Sequence, residues 1–118
     1  MSAHTHTHTP DPWALGAGYG LHGVRIEGPD GQVICSIAHV EKDAHGPDGR
    51  VIGTTPIAEG WANAFLITAA PQLLAIAKAF DAYMSQAGVP AEQDSLNPIA
   101  ALRWKAQQAI AKATGGAP

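Results

Sequence analysis

Gly28-Pro29-Asp30-Gly31-Gln32-Val33-Ile34 recurs almost intact as Gly46-Pro47-Asp48-Gly49-Arg50-Val51-Ile52, and the pair decides the first half of the fold. Proline presets the backbone for a tight reversal, and glycine accepts the positive φ that closes it. Before the first copy, Val24 and Ile26 alternate with Arg25 and Glu27, the period-two pattern of a half-buried strand. After it, residues 32–40 are largely β-branched and apolar. Val33, Cys35 and Ile37 fall on one side, and Ile34, Ala38 and Val40 on the other. Strand, turn and strand in that order predict a β-hairpin. The second copy predicts a further strand from Arg50, which Pro56 ends or confines to a sheet edge. Two copies are too few for a stacked repeat, which needs about three. One turn design reused in a meander is the reading.

Outward to the N-terminal side, Gly16-Ala-Gly-Tyr-Gly20 is too glycine-rich to hold regular structure without help. Thr9-Pro-Asp-Pro12 stiffens the chain before Trp13 and excludes a helix there. Residues 1–12 are expected to be a flexible arm, carrying His4, His6 and His8.

Outward to the C-terminal side, the pattern changes to helical. Trp61, Phe65 and Ala69 share one line, with Ala62 and Leu66 on the next. Pro71 lacks a backbone donor, so a kink or break is expected, with Pro71 opening a second helix. There Leu73, Ile76, Phe80 and Tyr83 form the apolar stripe, and Lys78, Asp81 and Ser85 the wet face. Gly88 and Pro90 close that helix. A last helix begins at Asn97-Pro98, a capping side chain followed by proline. Its stripe is Ile99, Leu102, Ala106, Ala109 and Ala113, and Gly115-Gly116 end it. The expected architecture is α+β: an antiparallel sheet of three or four short strands, then two or three helices packed on one face. Residues 13–118 are expected to form one domain, with strands over about 22–55 and helices over about 60–114.

Composition narrows the function classes. Seven Lys/Arg against ten Asp/Glu give a net charge of −3, with no basic run to wrap a nucleic-acid backbone. Charged residues are only 14% and apolar residues 46%, which points to apolar surface covered by another copy or another partner. Residues 61–80 are apolar, but Asn63, Thr68, Pro71, Gln72 and Lys78 interrupt them, so a buried helix is expected rather than a membrane span. One cysteine, Cys35, suits a reducing cytoplasm.

Three places resemble a loose group of small phage and prophage proteins. The opening Thr9-Pro-Asp-Pro-Trp13 is similar to their T-P-G-P-W element. Ala62-Asn-Ala-Phe-Leu-Ile-Thr-Ala-Ala-Pro-Gln-Leu-Leu74 is similar to their A-N-A-x-L-I-x-A-A-P-x-L-L helix, and Ala109-Ile-Ala-Lys-Ala-Thr-Gly115 to their ending. Asp11, Phe65 and Gln72 depart from the group's usual glycine, charged residue and carboxylate. The resemblance implies a phage origin and this architecture. It supplies no reaction, because the shared residues are packing and turn residues. Proteins of this kind often act on host machinery, including bacterial defence.

Several residues carry candidate chemistry. Trp104 falls roughly opposite the last helix's stripe with Arg103 beside it, a pairing enriched at interface hot spots. Tyr19, His22 and Arg25 near the glycine-rich segment could line a pocket for a small anionic ligand. Gly16-x-Gly-x-Gly20 lacks the following helix of a dinucleotide site. His39, Glu41, Asp43, His45 and Asp48 form the densest titratable cluster, read as a polar loop or, alternatively, a minimal metal hydrolase. The spacing of this cluster matches no motif tied to a mechanism, the histidines of the arm have no acidic or thiol partner and would bind a metal only weakly, and no cofactor is expected. The leading expectation is a cytoplasmic, self-associating protein that binds a host protein stoichiometrically. Sequestration of a small anion or nucleotide is the alternative, and enzymatic activity is not expected.

Overall fold

The structure, a computed structural model, describes residues 7–19, 23–38 and 40–116. It is α+β, with strands first and helices after. β1 (Ala14–Tyr19), β2 (Gly23–Glu27), β3 (Val33–Ile37), β4 (Glu41–His45) and β5 (Val51–Pro56) precede α1 (Ala58–Gln86) and α2 (Pro98–Thr114). The strands form two antiparallel sheets, β1-β2-β3 and β4-β5. The described residues thus hold five strands in two sheets, where three or four in one were expected.

The repeated heptapeptide makes the same turn twice. Gly28 N–H donates to Gln32 C=O (2.8 Å) and Gly31 N–H to Gly28 C=O (3.1 Å). Gly46 N–H donates to Arg50 C=O (2.8 Å) and Gly49 N–H to Gly46 C=O (3.0 Å). The closing glycines, Gly31 and Gly49, have φ of 79° and 81°. A tight turn followed by a left-handed glycine is the three-residue hairpin connection with its bulge. Beyond each turn the ladder register shifts once more, between Ile26 and Glu27 in the first hairpin and between Ala44 and His45 in the second.

The two extra strands have identifiable causes. β1 includes most of the glycine-rich segment, held by pairing Ala14 with Glu27, Leu15 with Ile26 and Gly18 with Val24. Pairing supplies the order that glycine lacks on its own. β4 lies in the polar cluster read as a loop. Its five residues pair with β5 from Glu41–Pro56 to His45–Val51. The apolar run read as one strand over 32–40 instead ends at Ile37, and Val40 turns inward to be 1% exposed. Val40 C=O accepts from Ile57 N–H (2.7 Å), tying the start of α1 to this corner.

The chain packs as two compact units, Thr9–Pro71 and a second that begins at Gln72. In the first, Val24, Val40 and Ala64 form the core, with Leu15, Ile37 and Trp61 packed against it. Trp13 Nε1–H donates to Thr9 C=O (3.0 Å), which folds the proline-braced opening back on itself. Residues 1–6 of the expected flexible arm fall outside the described residues.

The helices correct two expectations. α1 runs unbroken through Pro71 for 29 residues, so no second helix opens there. The proline ring is buried, and that burial offsets part of the cost of its missing donor. α2 starts and stops as expected, with Asn97 Oδ1 accepting from Ile99 N–H (3.0 Å) and Gly115 left-handed at φ 72°. Its orientation is the surprise. Its one fully buried residue is Ala100, while Ile99, Leu102, Ala109 and Ala113 of the expected inward stripe are exposed.

Candidate functional site

The orientation of α2 follows from a polar clasp between the two helices. Arg103 Nε–H donates to Asp81 Oδ1 on α1 at 2.8 Å, and Arg103 Nη1–H to Val89 C=O at 2.6 Å. Gln107 Nε2–H donates to the same Asp81 oxygen at 3.0 Å. Arg103 and Gln107 lie one helical turn apart and reach one carboxylate. A guanidinium fork spanning a carboxylate and a carbonyl is a directional contact that lysine could not reproduce. The hydrogen bond from Arg103 lowers the Asp81 pKa; partial desolvation opposes this, and Gln107 and the Arg103 charge add to the lowering.

The clasp turns the Ala100–Arg103–Gln107 face of α2 inward. Trp104 is half-buried on the inward side. Neither of the expected anchor residues stands free: Arg103 is committed to Asp81 and Val89, and Trp104 is partly covered. Sequence reasoning missed Asp81 and Gln107 as partners, and no local signal marks a pair 22 and 26 positions apart.

The opposite face of α2 is apolar and open. Ile99 is 48% exposed and Leu102 52% exposed, with Ala109 and Ala113 exposed beyond them. Lys105 and Lys112, also exposed, run along one edge of this stripe. On α1 the expected stripe is likewise outward. Ile76 is 65% exposed and Tyr83 67%, with Leu73 exposed and Phe80 half-buried. Phe65 and Leu66 are exposed on the earlier turns. α1 is long and apolar enough to cross a membrane by length and composition. Only Ala64 and Pro71 of its 29 residues are buried, so the buried helix expected over residues 61–80 is instead a largely exposed one.

The expected anion-binding residues are only partly visible. Arg25 lies on β2 beside Glu27, Nε to Oε2 3.8 Å, and its Nε is buried with no hydrogen-bond partner. The Glu27 carboxylate lies over Gly16, so a side chain at that position would meet it directly. Tyr19 pairs with Gly23 through its backbone at the end of β1, and His22 lies outside the described residues. A shallow cavity of about 200 Å³ is lined by Ile37, Ala38, Ile57, Glu59, Gly60 and Asn63, none of them an expected ligand residue.

Among the described residues, no three His, Cys, Asp or Glu side chains gather as metal ligands. His39, His4 and His6 lie outside those residues, and His45 is exposed on β4. Asp48 serves the second turn, accepting from Arg50 N–H at 3.1 Å. Cys35 is half-buried on β3, paired with Ile26.

The family model of Salmonella phage P22 protein Y8K6 matches residues 1–117. The chain belongs to that family. The P22 Y8K6 match covers both compact units and makes this a phage protein. No curated protein and no solved structure match the chain.

Proposed function

We propose that this member of the P22 Y8K6 family acts by stoichiometric binding to a protein of the bacterial host, with the outer face of α2 as the contact. The observation that carries the reading is the outward apolar stripe, Ile99 and Leu102 first, edged by Lys105 and Lys112. Apolar side chains left open beside cations fit a partner surface that is itself apolar with acidic residues at its rim. Phage membership supports a partner in the infected cell, and a component of host defence is the narrowest form of the proposal.

Native mass spectrometry of the untagged protein purified from bacterial cells tests this. The expected spectrum shows the chain with one host polypeptide in fixed ratio. That complex is lost in Leu102→Asp and kept in Ser85→Asp, an exposed position on α1. A spectrum of the bare protein, or a complex indifferent to Leu102→Asp, overturns the proposal.

A second reading rests on the Arg25 Nε–H, buried without an acceptor. A small anion seated there would satisfy it. Inorganic phosphate or a nucleotide would then raise the melting temperature by mass action, and Arg25→Gln would abolish the rise.

A further inference from the structure

The two copies of the turn heptapeptide differ at one position, Gln32 in the first and Arg50 in the second. Each sets an aspartate directly before a glycine, Asp30-Gly31 and Asp48-Gly49, at an exposed tip. That dipeptide carries a chemistry of its own. The backbone nitrogen after an aspartate can attack the side-chain carboxyl carbon, and glycine leaves that nitrogen unhindered because it has no side chain. The backbone of the two turns is alike: Gly31 N–H and Gly49 N–H each donate to the carbonyl three residues back, at 3.1 and 3.0 Å. The carboxyl groups are held differently. Asp48 Oδ1 accepts from Arg50 N–H at 3.1 Å, and Oδ2 lies 3.5 Å from Arg50 Nε. These contacts tie the carboxylate to the nitrogen beyond the one that must attack. In the first turn Gln32 folds back instead, its Oε1 accepting from Asp30 N–H at 2.8 Å. Among the described residues, no hydrogen bond or ion pair holds the Asp30 carboxyl.

We infer that Asp30 is a site of spontaneous isoaspartate formation, and that Arg50 protects its counterpart Asp48. Gly31 N attacks Cγ of the Asp30 carboxyl in its neutral form, making a new carbon–nitrogen bond. The amide proton and the carboxyl hydroxyl leave together as water, and the product is a cyclic succinimide. Water then adds to either carbonyl carbon of the ring, and the bond from that carbon to nitrogen breaks. One choice restores aspartate. The other routes the main chain through the former side chain and leaves the old backbone carbonyl as a free carboxylate. Nothing is oxidised or reduced, and water is the only co-reactant. The rearranged chain is one carbon longer inside the turn that Gly28 N–H to Gln32 C=O (2.8 Å) closes. That turn joins β3 to β2, which carries the buried Val24 and Ile26. The protected turn joins β4 and β5, neither of which has a buried residue. The modification therefore falls on the hairpin that supplies the core. It is independent of the host contact proposed on α2.

Ageing the full chain in warm, mildly acidic buffer tests it, with circular dichroism to confirm folding at the start. Isoaspartate is quantified by methyl transfer with an isoaspartate methyltransferase and located by electron-transfer fragmentation of the digested chain. The expected result is isoaspartate accumulating several-fold faster at Asp30 than at Asp48, with the succinimide seen as a transient loss of one water. Arg50→Gln should bring Asp48 toward the rate of Asp30, and Gln32→Arg should slow Asp30. In concentrated urea the two sites should converge, because the contacts that distinguish them are gone. Equal rates in the folded wild type, a faster Asp48, or no isoaspartate at Asp30 each overturn the inference. So do rates unmoved by the two substitutions, or a difference that survives unfolding.

Discussion

Asp81 shows how one side chain can choose the face of a helix. It receives Arg103 and Gln107 from α2, and its carboxyl is held below the usual range chiefly by the Arg103 hydrogen bond. A group whose pKa is lower in the folded than in the unfolded state binds fewer protons when folded. The stabilisation is therefore complete above the unfolded value, near 4, and is lost as pH falls through the lower folded value. Asp81→Ala is expected to cost about 1–2 kcal/mol at neutral pH, since charged hydrogen bonds are strong but this one is partly solvent-screened. Urea titrations at pH 7 and pH 3 check the sign: the difference between wild type and variant should shrink at pH 3. Arg103 reads from sequence as a free anchor beside a tryptophan, because nothing local reveals that its partner lies on the preceding helix.

At the scale of the element, the two hairpin turns are the most legible feature. Their proline, aspartate and glycine specify conformation through short-range sterics, so the same sequence makes the same hydrogen bonds in both places. Gly31 and Gly49 sit at positive φ with open space around the position a side chain would take. The effect of adding one is then conformational alone. Gly31→Ala and Gly49→Ala are each expected to cost about 1–2 kcal/mol, the penalty of the left-handed region for an L-residue. Chemical denaturation of the two variants checks this, and the costs should add because the turns share no partner. β1 and β4 are less legible. A glycine-rich stretch and a charged stretch both fall outside strand propensity, and cross-strand pairing with β2 and β5 overrides it. Pro71 is the converse case. Its local chemistry argues for a break, and the buried ring in a continuous α1 prevails.

For the whole molecule, apolar surface is the feature that asks for explanation. A charge fraction of 14% already pointed to a covered surface, and both helices turn their apolar stripes outward. Leu102 and Ile76 are exposed, so aspartate at either position should alter the stability of an isolated chain by no more than about 0.5 kcal/mol. Calorimetry of both variants beside the wild type makes the comparison.

By itself, the sequence determined the class of fold, both hairpin turns, the caps of α2 and the kinship with phage proteins. Each is carried by short-range sterics or by a motif read along the chain. Tertiary structure decided the two added strands, the unbroken α1 and the direction in which both helices face. Periodicity identifies an apolar stripe but cannot say whether it meets the chain's own core or another molecule. Here Asp81, Arg103 and Gln107 answer for α2, and the buried Ala64 and Pro71 answer for α1. The stripes are left outward because polar contacts between residues distant in sequence, and burial of the opposite helix face, had already fixed the inward side.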